Sequence, residues 1–180
     1  MITLARKLGT TEHLSPLMRK ARKLGLASPG DLQALAVRRG CDYYRGSGAP
    51  SAAEVSPERF SDEELALALL HPSQPWDPQT LRLGAAMLGA AGNEPARLAR
   101  LARMERSEPI LRQIAEAGRR FEPGNPFWTE LLALLSSSSL PADGVLPHPT
   151  RYVGMTGITR RGRETVSEWI RPHPARTPHG

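Results

Sequence analysis

Cysteine occurs once in this chain, as Cys41, so no intramolecular disulfide framework can form and a single chain cannot assemble a thiolate-rich zinc site. Valine and isoleucine together supply 10 of the 180 residues, too few of the β-branched side chains that fill sheets. Aromatic residues number nine, three each of Phe, Trp and Tyr. Long apolar runs are missing: none approaches the roughly 18 residues that a membrane span requires. No charged segment followed by a continuous apolar stretch opens the chain, so no secretory signal is expected. These absences point to a soluble, cytoplasmic protein of a reducing compartment, with no membrane partner. Lysine is scarce as well. The three present, Lys7, Lys20 and Lys23, all lie near the start, whereas arginine numbers 21.

What is abundant is Leu (24) and Ala (22), both strong helix formers, so the expected fold class is all-α. The prolines punctuate the helices. Ser15-Pro16, Ser28-Pro29, Ser56-Pro57, Asp77-Pro78 and Asn125-Pro126 each set a capping side chain directly before a proline. The cap oxygen satisfies an orphan N–H, and proline at the first helical position needs none. Asn93-Glu94-Pro95 and Ser107-Glu108-Pro109 are looser versions of this signal, and Ser61-Asp62-Glu63-Glu64 is a capping box. These starts predict helices near 15–25, 29–39, 61–71, 78–91, 95–106, 109–121 and 126–135, with a short one possible at 2–8. Brief connections make the arrangement a small bundle or an irregular stack of antiparallel helical hairpins.

The expected domain runs over 1–136, with a loop or linker near 40–57. An extended or partly disordered Pro/Arg-rich C-terminal arm follows over 137–180, helical at most around 161–170. Gly92 reads as a helix C-cap, and the small residues of 83–91 imply a helix that a neighbour approaches closely.

Charge is unevenly placed. Residues 1–40 carry eight basic and two acidic residues, and residues 41–80 carry two basic and seven acidic. Such a pattern implies either two partners or mutual contact within the fold. In the segment 15–25, Leu17, Met18, Ala21 and Leu24 share one helical face, while Arg19, Lys20, Arg22 and Lys23 share the other. With the next helix, ending in Arg38-Arg39-Gly40, this could be a helix-turn-helix. Its second helix would offer only Asp31 and Gln33 to base edges, so contact with phosphates is the better reading. Arg97, Arg100, Arg103 and Arg106 form a row that could follow a phosphate backbone. The sequence favours instead an exposed row paired with Glu105, Glu108 and the acidic 54–64 segment.

The stretch Arg151-Tyr152-Val153-Gly154-Met155-Thr156-Gly157-Ile158-Thr159-Arg160-Arg161 resembles the second half of the GIY-YIG nuclease motif. The resemblance covers about eleven residues and stops there. Gly144-Val145-Leu146 lies too close to be the first half and lacks its Tyr, so no nuclease assignment follows. What remains is a basic, glycine-containing hairpin or loop with Arg160, Arg161 and Arg163.

Histidines 13, 71, 148, 173 and 179 show no His-x-x-x-His spacing, so no metal is expected. The glycine-rich stretch 83–92 lacks the Gly-Lys-Ser/Thr ending of a phosphate loop, so no nucleotide cofactor is expected. The acids at 58 and 62–64 sit where a helix dipole already accounts for them. Trp169, within an otherwise polar tail, is the candidate anchor for a partner; the alternative is that it folds back onto its own domain.

The sequence thus describes a non-enzymatic, nucleic-acid-associated accessory protein, DNA- or RNA-binding, that works within a larger protein or ribonucleoprotein complex. Arg19, Lys20, Arg22, Lys23, Arg38, Arg39, Arg160, Arg161 and Arg163 would contact the backbone. The rival reading is a helical scaffold that binds other proteins and does not touch nucleic acid.

Overall fold

The computed structural model describes residues 2–8, 15–41, 54–136, 144–156 and 166–173. Eight helices occur among them: α1 (Leu4–Lys7), α2 (Pro16–Lys23), α3 (Pro29–Arg38), α4 (Asp62–Leu69), α5 (Pro78–Leu88), α6 (Pro95–Met104), α7 (Glu108–Phe121) and α8 (Pro126–Leu134). A 3-10 turn, Pro149–Tyr152, leads into strand β1 (Val153–Thr156), which pairs antiparallel with β2 (Val166–Trp169). The protein is therefore all-α with one small hairpin.

The caps read from the sequence are made, except that Ser56-Pro57 opens a turn and no helix. The side chains of Ser15, Ser28, Ser61, Asp77 and Asn125 each accept a main-chain N–H in the first turn of the helix they precede. Ser28 with Asp31, and Ser61 with Glu64, form reciprocal capping boxes. Glu94 and Ser107, the looser signals, make no side-chain cap. Helix α5 ends at Leu88 with Gly89 as its C-cap, and Gly92, at φ +91°, turns the chain three residues beyond it.

Helix α4 lies at the centre. Leu65, Ala66, Leu67, Ala68, Leu69 and Leu70 are all fully buried, so the segment is apolar on every side and must be surrounded. It packs against α2, α3, α5 and α6. Gly84 of α5 shows how close the contact with α4 is: a Cβ there would stand 2.6 Å from Leu70 Cγ. Glu63 and His71, at opposite ends of α4, approach Arg97 and Glu105 at opposite ends of α6, so these helices run side by side in the same direction. Helix α2 runs the other way, with Lys20 at the start of α4 and Leu17 beside Glu105.

Part of the segment expected to be an extended arm belongs to the core. Leu146, Tyr152 and Trp169 are buried in the same apolar cluster as the helices. Residues 166–169, within the stretch 161–170 where the sequence allows a helix, form a strand. Val153–Thr156 offers an extended edge, and pairing turns Trp169 inward and leaves Glu168 exposed. Further pinning comes from main-chain bonds, Ile170 N to Tyr152 O and His173 N to Gly40 O. Gly40, at φ +109°, has to be glycine because a Cβ would collide with the His173 carbonyl. At the other end, Leu4 N and Ala5 N bond to the carbonyls of Gln74 and Pro72.

Candidate nucleic-acid interface

The cations predicted to contact phosphates divide into two groups once folded. Arg19, Arg22 and Lys23 project from α2 into solvent, on the face opposite the buried Leu17, Met18 and Ala21. Arg38 is exposed at the end of α3. Among the described residues, Arg22, Lys23 and Arg38 form no ion pair.

Lys20 and Arg39 are engaged internally. Lys20 Nζ lies 2.6 Å and 2.8 Å from the two carboxylate oxygens of Glu64 and 5.7 Å above the Phe60 ring. Its side chain is still 44% exposed. Arg39 is only 9% exposed. Its Nη1 donates to Asp62 at 2.7 Å, while Nη2 donates to the carbonyls of Val55 and Phe60. Arg39 is therefore structural: it closes the chain around 55–62 onto α3 and has no free donor fork for a phosphate.

The acidic run Asp62-Glu63-Glu64 explains the charge pattern. Each acid of this first turn of α4 takes a cation from a different helix: Asp62 takes Arg39 of α3, Glu63 takes Arg97 of α6 at 4.0 Å, and Glu64 takes Lys20 of α2. Glu63 is itself buried, with Oε1 accepting the Glu94 N–H at the start of α6. The helix dipole accounts for part of this run, but its tertiary role is to gather three basic helices. The opposed charges of residues 1–40 and 41–80 thus meet within the fold.

The second arginine row divides similarly. Arg97 keeps 42% exposure beside Glu63, and Arg103 lies 3.6 Å from Glu108 and donates to Leu134 O. Arg100 and Arg106 are exposed. Glu105, which the sequence suggested as a surface partner for this row, is buried instead. Its Oε1 accepts the Leu17 N–H at 3.2 Å, and its Oε2 faces His71 Nε2 at 3.4 Å. Burial works to raise the Glu105 pKa, but the nearby His71 ring and hydrogen bonds from Ser15 and Leu17 N outweigh it and hold the carboxyl below its ordinary value. His71 Nδ1 accepts the Ser73 N–H, which places the ring proton on Nε2, toward Glu105. Nothing in the sequence marked Glu63 or Glu105 as interior, because a glutamate on a helix looks exposed until its neighbours are known.

Helix α3 packs into the core, and its polar side chains are occupied. Leu32, Ala34, Leu35 and Ala36 are buried against α4 and α5. Asp31 accepts from Ser28 N and Oγ, and Gln33 donates to Thr80 Oγ1 at 2.7 Å and Asp77 Oδ2 at 3.3 Å. Both side chains that could have reached base edges are held by the fold itself.

Trp169 is 3% exposed. Its ring lies tilted against Trp128 and Tyr152, with centroids 4.7 Å and 5.5 Å away, and its indole N–H bonds to Ala85 O. A tryptophan so enclosed cannot at the same time anchor a partner, so it folds back onto its own domain. Its surroundings are fixed by Glu122, whose carboxylate accepts from Trp128 Nε1, Asn125 Nδ2, Trp169 N and both terminal nitrogens of Arg171. Arg160, Arg161 and Arg163 lie outside the described residues, between the paired strands β1 and β2.

Among the described residues no cluster of three or more His, Cys, Asp or Glu could hold a metal ion, and no helix is long and apolar enough to cross a membrane. The described residues define an all-α domain with a C-terminal hairpin and a cationic helix on its surface. No family model matches the chain, and no curated protein and no solved structure is significantly similar to it.

Proposed function

We propose that the protein is a non-catalytic, nucleic-acid-associated accessory factor that grips phosphates through α2, with Arg19, Arg22 and Lys23 in contact and Arg38 beside them. The observation that carries this reading is the exposure of Arg19, Arg22 and Lys23 on one short helix, with Arg38 exposed at the end of α3, while the neighbouring Arg39 is enclosed and tied to Asp62. Arg22, Lys23 and Arg38, which form no ion pair among the described residues, keep a local positive potential and release counterions when they meet a polyanion. The engagement of Asp31 and Gln33 argues for backbone contact without base readout. Arg160, Arg161 and Arg163 stay within the proposal on charge alone. So does work within a larger complex, because a footprint of three or four phosphates binds weakly by itself.

The test is a titration of duplex DNA, single-stranded DNA and RNA between ~50 and ~200 mM salt, where three contacts give a slope of about −3 in log affinity against log salt. Arg22→Ala with Lys23→Ala should flatten that slope by about two. The absence of any binding at ~50 mM salt would end this reading.

A further inference from the structure

The two cationic helices of this protein converge. Glu63 and Glu64 are consecutive residues, yet one holds Arg97 of α6 and the other holds Lys20 of α2. The basic edges of α2 and α6 are thereby brought to either side of a single turn of α4, although more than 70 residues separate them in the chain. We infer that Arg97 and Arg100 of α6 extend the α2 surface into one two-helix face for a nucleic-acid backbone, with Lys20 and Arg97 as its inner pair. This inference rests on the function proposed above and enlarges its footprint.

Three observations support it. The first is exposure: Lys20 at 44% and Arg97 at 42% keep nearly half of each side chain in water, unlike the enclosed Arg39 at 9%. Their acids orient them without removing their outward donors, and at 4.0 Å Glu63 leaves most of the Arg97 fork open. The second is Arg100, which lies one turn along α6, exposed and without an ion pair among the described residues. The third is what the face lacks. The exposed residues of α2 are Pro16, Arg19, Lys20, Arg22 and Lys23, and those of the first half of α6 are Ala96, Arg97 and Arg100. No large apolar side chain stands among them. A protein interface is built around an apolar core. Here the charges are cationic apart from Glu94 before Arg97, and the one large exposed apolar side chain, Met104, stands at the far end of α6. Such a face fits a regularly charged backbone better than a protein surface.

The experiment compares three double variants of the full chain, with their folds checked by circular dichroism, in the same salt titration. These are Arg97→Ala/Arg100→Ala, Arg22→Ala/Lys23→Ala, and a control of equal charge, Arg119→Ala/Arg120→Ala, at the end of α7. If α6 shares the face, the first variant flattens the salt slope by about two, as the second does, and the control changes it little. If the α6 variant behaves like the control while the α2 variant flattens the slope, the two-helix face is wrong and the reading through α2 stands. If neither variant differs from the control, both fail. A competition arm with poly-glutamate completes the test. Displacement of the nucleic acid by an equal concentration of charge would mark the surface as a dock for an acidic protein, and that too overturns the inference.

Discussion

The indole nitrogen of Trp169 donates to the main-chain carbonyl of Ala85 at 2.9 Å. In a continuing helix that carbonyl would accept from Gly89, but Gly89 N turns back to Ala86 O, so the end of α5 leaves an acceptor that the tryptophan takes up. Gly89 also leaves the space: a Cβ there would stand 2.8 Å from Trp169 Cδ1. Trp169 is thus keyed to a residue 84 positions earlier in the chain.

Gly89→Ala tests that fit. Gly89 has φ −81°, so alanine suits its backbone and would ordinarily stabilise by about 0.4–1 kcal/mol. The clash with Trp169 should reverse the sign and cost about 1–2 kcal/mol, since crowding a packed site is unfavourable. Urea unfolding followed by tryptophan emission reads both the stability and the altered surroundings of the indole. A gain in stability would show that Trp169 is not seated there.

Glu122 links α7, α8 and the C-terminal segment. Burial acts to raise its pKa, but hydrogen bonds from Arg171, Trp128, Asn125 and Trp169 N dominate and hold it down at about 2. A folded-state pKa below the unfolded one means a contribution present above about pH 4.5 and lost as the pH falls toward about 2. Stability of the wild type should decline over that window. Glu122→Gln should flatten the decline and lower stability at neutral pH by about 2 kcal/mol, as expected for charged hydrogen bonds in a partly screened site. Chemical denaturation at a series of pH values checks both; an equally steep acid decline in the variant would remove Glu122 as its source.

Glu105 joins α6 to the start of α2. Glu105→Ala would leave the Leu17 N–H and His71 Nε2 without their carboxylate, at a cost of about 3 kcal/mol. Glu105→Gln keeps an acceptor for Leu17 and should cost less. Equal losses in the two variants, measured by thermal unfolding, would contradict a role as acceptor for the α2 terminus.

Glu64→Gln separates capping from charge. Glutamine can still accept the Ser61 N–H of the capping box, so stability should fall by less than about 1 kcal/mol. Lys20 loses its counter-charge, so affinity for nucleic acid at ~50 mM salt should rise about two- to threefold, and the gain should fade as salt screens it. Unchanged or weaker binding at low salt would mean that Lys20 does not belong to the contacting face.

The helical skeleton was legible in the sequence because its signals are local. A capping side chain and a proline act within four residues, so all seven predicted starts, and the short helix near the beginning, appear where the sequence placed them. What escaped depends on distant neighbours. Arg39 and Arg22 are both arginines beside helix ends, and only the packing of α3 on the 55–62 segment makes one structural, while the other forms no ion pair among the described residues. Glu105 resembles any surface glutamate until α2 lays a main-chain N–H against it. Trp169 seemed isolated in a polar tail because its partners, Ala85, Trp128 and Tyr152, come from three other parts of the chain. The strand at 166–169 was equally hidden, since four residues carry too little periodicity to separate strand from helix.

The bond from His173 N to Gly40 O also bears on the order in which the protein can form. Gly40 directly follows the helix that ends in Arg38 and Arg39, whereas His173 is synthesised 133 residues later. Helices α2 to α8 can emerge and dock as the ribosome proceeds, but the turn behind the basic helix pair cannot be clamped until the last strand has been made and paired. A chain stalled or cut before β2 would carry its cations on an unfinished support. Non-local closures of this kind fall late in folding, so the end of α3 acquires its final backing after every helix is in place.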